Sequence, residues 1–107
     1  MKKFAIIMTI LWTADQLSSA ADVKENWGKA CSNCHGMDGK GQTKLGKKAG
    51  AKDFTDVKVQ SSFTDEKAFI AIKDGLLEGD KVRMKPAEKL TDEEIKALVK
   101  YVRDLKK

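Results

Sequence analysis

Two cysteines and one histidine are the residues of this chain best suited to hold a group covalently or to ligate a metal. They fall together as Cys31-Ser32-Asn33-Cys34-His35. Two thiols at this spacing can add across the two vinyl groups on one edge of a porphyrin, each forming a thioether. The histidine directly after the second thiol then reaches the iron as its proximal ligand. Moving it by one position would turn the ring away. The spacing therefore reads as an attachment site for one covalent haem c. Three other chemistries use the same residue types. A disulfide between Cys31 and Cys34 would close a very short loop and constrain little. Structural zinc takes four Cys or His ligands, and the sequence holds Cys 2 and His 1. A thioredoxin-like redox pair belongs at a helix N-terminus in a βαβ unit, and strand signals are scarce here.

The second axial ligand follows by elimination. His35 is the single histidine, so two histidines of one chain cannot share the iron. The methionines are Met1, Met8, Met37 and Met84. The first two lie in the N-terminal leader described below. Met37 follows His35 too closely to cross to the other face of the ring. Met84 lies far enough along to return there. The plain alternative is a core-filling methionine, but Lys81-Val82-Arg83 and Lys85-Pro86 are polar flanks for a buried stretch. Pro86 fixes its own φ and biases Lys85 toward extended backbone, which would stiffen a strap around Met84.

Positioning these residues falls to a few helices. Asp22 to Cys31 reads as a short helix with Val23, Trp27 and Ala30/Cys31 on one face. Residues 36–52 are rich in glycine and lysine and read as a loop. Phe54, Val57 and Val59 hint at extended chain. Thr64 to Asp74 reads as a helix with Ala68, Phe69 and Ile72 inward and Gly75 ending it in the left-handed conformation. The last helix opens on Thr91-Asp92-Glu93-Glu94, a capping box, and carries Ile95, Leu98, Val99, Val102 and Leu105 on one stripe. Its acids stand at the start and Arg103, Lys106 and Lys107 at the end, as the helix dipole favours. The coarse reading is all-α, with loops wrapped around a bound group.

The N-terminus has the layout of a secretory signal peptide: Lys2 and Lys3, an apolar run from Phe4 to Trp12, then Ser19-Ala20-Ala21. The run is far short of the roughly 20 residues of a spanning helix. Cleavage after Ala21 would leave residues 22–107 as the one functional domain. A domain that small buries only about 60–65% of its unfolded surface, and a cofactor is a natural staple for it. The net charge of +5 falls by one when Lys2, Lys3 and Asp15 leave. No aromatic interleaving with Lys/Arg and no nucleic-acid motif accompany that charge.

Together these residues resemble the small class I bacterial cytochromes c. The resemblance runs from Asp22 to Lys107. It rests on Trp27 placed four before Cys31, on the motif ending His35-Gly36, on Asp38-Gly39-Lys40-Gly41, on Arg83-Met84-Lys85-Pro86, and on Leu90-Thr91-Asp92-Glu93-Glu94-Ile95 followed by Leu98-Val99-Lys100-Tyr101-Val102. It implies the cytochrome c fold: three to four helices around one covalent haem, the first and last crossing, with Trp27 packed on Leu98 and Tyr101. It implies a single-electron carrier rather than an enzyme, exported to the periplasm, monomeric and not inserted in the membrane. Lys40, Lys44, Lys47, Lys48, Lys52, Lys81, Arg83 and Lys85 would then form a basic ring steering it to redox proteins with acidic docking surfaces. A dedicated haem subunit of a dehydrogenase or oxidase complex is compatible with the same motifs. So is an open-site peroxide- or gas-binding haem protein, provided Met84 is not a ligand. One departure stands out. Relatives often carry a proline after the motif whose carbonyl accepts the histidine Nδ1–H bond. The single proline here is Pro86, so a carbonyl near Lys44 or Leu45 would have to substitute.

Overall fold

Helix formation starts at the head of the domain and runs through the whole motif. The computed structural model describes residues 22–107, so the leader at 1–21 lies outside the described residues. Residues 22–26 are α-helical, Trp27–Cys31 form a π turn, and Ser32–His35 complete the run, together α1. The sequence reading ended this helix at Cys31. It continues because nothing in Ser-Asn-Cys-His breaks it, and Gly36 is the first residue free to turn away, at φ 80. Ser32 Oγ donates to the Gly28 carbonyl at 2.7 Å. This side-chain bond to the preceding turn accompanies the widened π geometry, a feature common at functional sites.

The expected loop at 36–52 contains a helix. α2 spans Lys44–Ala49. Thr43 Oγ1 accepts from the Gly46 N–H at 2.8 Å, and Gly50 closes the helix in the left-handed region. Both signals are ordinary cap signals, masked in the sequence by the glycine and lysine around them. The hint of extended chain after Phe54 is likewise overturned. α3 spans Val57–Gln60, capped by the Asp56 carboxylate, which accepts from the Lys58 N–H at 2.9 Å.

α4, Asp65–Asp74, follows the reading: Thr64 caps it, Ile72 is buried, and Ala68 and Phe69 pack on the core. Gly75 differs. Its φ of 84 is positive but its ψ of 177 is extended, so it is no left-handed cap. A Cβ there would lie 2.7 Å from the Met84 carbonyl oxygen and 3.0 Å from the Pro86 nitrogen. Glycine is required because the Met84–Pro86 segment crosses the end of α4. An antiparallel hairpin, absent from the sequence reading, delivers that segment: β1, Leu76–Glu78, and β2, Lys81–Met84, with Leu76 opposite Met84. The two strands are short, and the class remains all-α.

α5, Asp92–Asp104, carries the expected capping box. The Thr91 N–H donates to Glu94 Oε1 at 2.8 Å and the Glu94 N–H to Thr91 Oγ1 at 3.1 Å. Ile95, Leu98, Val99 and Val102 are buried, and Leu105 is half-buried against the same core. Trp27 and Tyr101 meet with ring centroids 5.1 Å apart, and Leu98 is fully buried in the cluster that contains Trp27. The first and last helices thus share one core, as the resemblance implied. Among the described residues no helix is long and apolar enough to cross a membrane.

Candidate haem-attachment site

Because α1 runs to its end, Cys31, Cys34 and His35 stand within little more than one helical turn. Cys31 is buried and Cys34 half-buried, and both are free thiols. Burial pushes the Cys31 thiol up to about 11, so it stays protonated at neutral pH. Burial also lowers the His35 pKa, which favours the neutral imidazole, the form that ligates metals.

Hydrogen bonds pin the motif from both sides. Trp27 Nε1 donates to the Gly36 carbonyl at 3.0 Å, and the Gly41 N–H donates to the His35 carbonyl at 2.9 Å. The Thr43 hydroxyl lies 2.7 Å from the Asn33 carbonyl and 2.9 Å from that of Cys34. It thereby joins the end of α1 to the start of α2. Gly46 completes this contact, since a Cβ there would run into the Cys34 carbonyl oxygen.

The His35 ring lies against two aromatics. Phe54 stacks on it with centroids 5.0 Å apart and planes 29° apart; Trp27 is tilted against it at 5.7 Å. His35 Nδ1 is enclosed and has no hydrogen-bond partner. The acceptor expected near Lys44 or Leu45 is not supplied. These residues open α2, where carbonyls point along the helix axis.

Met84 ends β2 half-buried, packed against the cluster that includes Cys31. The same hairpin leaves Leu76, Leu77 and Val82 exposed. A domain this small with apolar side chains left open beside its methionine suits a flat apolar group. The donor set suits iron porphyrin: two thiols at vinyl spacing, one imidazole whose pKa burial lowers, and one thioether.

Of the basic residues, Lys44, Lys47, Lys48, Lys52, Lys81 and Lys85 are exposed and Lys40 is half-buried. Arg83 leaves the group. It pairs with Glu78 at 2.8 Å and donates to the Ala49 carbonyl at 3.3 Å, tying the hairpin to α2.

Sequence reasoning missed the polar network centred on buried Gln60 behind the histidine. Gln60 Nε2 donates to the Phe54 carbonyl at 2.6 Å and to the Val102 carbonyl at 2.8 Å. Arg103 donates to Gln60 through its backbone carbonyl and, at 2.9 Å, through Oε1, then to the Phe63 carbonyl at 2.8 Å and to Asp65 at 2.7 Å. Its guanidinium also lies 4.3 Å over the Phe63 ring. The sequence pointed to Arg103 only as a charge at a helix C-terminus.

Known proteins agree with this geometry. The Cytochrome c family profile matches residues 20–106. The chain is 37% identical over 106 residues to a cytochrome c-553 of Helicobacter pylori strain ATCC 700392 / 26695, covering 99% of this chain and 100% of that one. It is 38% identical to its counterpart in strain J99 / ATCC 700824, with the same coverage. Among solved structures, the KustC0563 c-type cytochrome superposes with a TM-score of 0.68 at 40% identity, covering 78% of this chain and 96% of that one. The matches span nearly the whole described domain, the Cys31–His35 turn included, and the chain belongs to the cytochrome c family, as a small electron carrier with covalently attached haem c.

Proposed function

We propose that Cys31 and Cys34 form the two thioethers, that His35 Nε2 and Met84 Sδ hold the iron from opposite faces, and that the chain shuttles single electrons in the periplasm. The observation that carries this reading is the placement of two thiols and a half-buried imidazole, whose pKa burial lowers, on one helical turn. In the attachment step each cysteine adds its sulfur and its proton across one vinyl C=C bond, so no oxidant or reductant is consumed. Bound haem supplies one-electron Fe(III)/Fe(II) chemistry. The protein's part is to fill both axial positions and exclude exogenous ligands. A thioether ligand favours the ferrous iron and raises the potential.

Residues 1–21 act in this reading as an export signal cleaved after Ala21, since thioether formation in this family takes place outside the cytoplasmic membrane. The exposed lysines of α2, with Lys52, Lys81 and Lys85, guide brief docking to acidic faces of redox partners. Electron-transfer contacts of this kind are small and weak.

The test is the protein matured with its leader in the gene. Haem that resists acid–acetone extraction, gives a thioether-type pyridine haemochrome, and leaves the reduced protein indifferent to CO is the expected result. A reduced protein that binds CO readily would replace the carrier by an open-site haem protein.

A further inference from the structure

The hairpin that carries Met84 does not keep one register. Glu78 pairs with Lys81 and Leu77 with Val82, but Leu76 pairs with Met84. Arg83 is therefore the extra residue of a bulge in β2, with no partner on β1. In an unbroken register Arg83 would stand opposite Leu76, and Met84 would share a face with Val82, which is exposed. A bulge re-aims a side chain in this way, and Met84 lies half-buried against the core cluster that includes Cys31. The Arg83 side chain is held on two sides. Its Nε and Nη2 each lie 2.8 Å from Glu78 Oε1, and Nη1 donates to the Ala49 carbonyl at 3.3 Å. Ala49 is the last residue of α2, and a Cβ on the next residue, Gly50, would lie 3.8 Å from Nη1. The hydroxyl of Thr43, which caps α2, lies 2.9 Å from the Cys34 carbonyl. One guanidinium thus joins the strand that carries Met84 to the helix packed on the attachment motif.

We propose that Arg83 is a positioning residue for Met84: its guanidinium, clasped by Glu78 and by the Ala49 carbonyl, locks the bulge that turns the methionine inward as the distal iron ligand. This rests on the reading of Met84 as that ligand. A methionine side chain is unbranched and flexible, and its thioether is uncharged. Its hold on ferric iron therefore depends on being kept in the bound geometry, which lowers the cost of binding. An incoming ligand has to displace it, and displacement is harder the more firmly the strand is fixed. Loss of the clasp lets the hairpin slip toward the unbroken register, which carries Met84 away from the core. In this role Arg83 acts through the strand.

The experiment titrates ferric, haem-loaded proteins with imidazole and follows loss of the Met–Fe(III) charge-transfer band; thermal unfolding is measured in parallel. A hydrogen bond from a charged donor at a half-buried position corresponds to about a tenfold change in an equilibrium. Arg83→Ala is accordingly expected to bind imidazole roughly tenfold more tightly than wild type. Glu78→Ala removes the exposed half of the clasp, where an ion pair is worth less, and is expected to tighten binding about threefold. Glu78→Gln keeps an acceptor for the guanidinium and is expected to match wild type. Lys100→Ala serves as the control, since it breaks an exposed pair with Asp104 on α5, and it too is expected to match wild type. An Arg83→Ala protein that melts earlier but binds imidazole like wild type has lost only stability, and that result overturns the proposal. So does a Lys100→Ala protein that tightens binding as much as Arg83→Ala. Should Arg83→Ala fail to mature, the Glu78 variants decide: tighter binding in Glu78→Ala with wild-type binding in Glu78→Gln supports the clasp, and wild-type binding in both overturns it. Failure of the ligand reading is distinct, because the wild-type protein itself would then lack the Met–Fe(III) band, and both readings would fall.

Discussion

Replacing Gln60 by leucine removes the one buried polar side chain among the described residues while nearly preserving its volume. Gln60 is 6% exposed, and its partners do not all suffer equally. The Val102 carbonyl keeps a second donor, the Leu105 N–H at 3.1 Å. The Phe54 carbonyl loses Nε2, and an orphaned buried acceptor costs about 1–3 kcal/mol. Arg103 loses its bond to Oε1 but keeps the Gln60 and Phe63 carbonyls and Asp65. A hydrogen bond to a charged group contributes about 1.5–3 kcal/mol. The buried leucine returns about 1–2 kcal/mol of apolar burial. The net cost is then roughly 2–4 kcal/mol, or about 10–30 °C in Tm for a domain of this size. Gln60→Glu should fare no better. It keeps an acceptor for Arg103 but sets carboxylate oxygen against the Phe54 and Val102 carbonyls. Thermal and guanidinium unfolding of the haem-loaded proteins, followed by far-UV circular dichroism, measures both. A Gln60→Leu protein within about 0.5 kcal/mol of wild type, the range of ordinary surface changes, would refute the reasoning. So would a Gln60→Glu protein as stable as wild type.

Three further outcomes follow. Leu98→Ala, at a fully buried position beside Trp27, should cost about 3–5 kcal/mol and leave the axial-ligand spectrum unchanged; denaturant titration with the visible spectrum checks both. The Thr91 backbone N–H holds the Glu94 carboxyl below its ordinary value. Its contribution is therefore present above the unfolded pKa of about 4.3 and lost as pH falls through the lower folded value. Glu94→Gln keeps a capping-box side chain and should flatten the acid limb of a Tm-against-pH series. Electron-transfer rates with an acidic partner should fall steeply between low salt and 0.1 M, where the screening length is about 10 Å; a rate indifferent to salt would exclude the lysine docking surface.

The local signals in the sequence were sufficient where one element carried the whole message. Cys31 to His35 announced its chemistry by spacing, and Thr91 with Glu94 announced α5 by reciprocal capping. α2 was legible in principle from Thr43 and Gly50, but four lysines and glycines between them gave no apolar stripe to connect the two caps. The hairpin was obscured because its strands are three and four residues long and its exposed Leu77 and Val82 belong to no alternating pattern. Gln60 and Arg103 were beyond reach for another reason. They are 43 residues apart, and a side-chain bond across that separation leaves no local signature. The same holds for Phe54 against His35. The residues that hold the motif's histidine are thus the least visible ones, because each acts through tertiary contact.

The central claim is that Met84 closes the iron site opposite His35. Ferric wild-type protein should show a low-spin spectrum with the weak Met–Fe(III) charge-transfer band, and Met84→Ala should lose that band and bind CO when reduced. A band that persists in Met84→Ala, or a wild-type protein that lacks it and binds CO readily, would contradict the account.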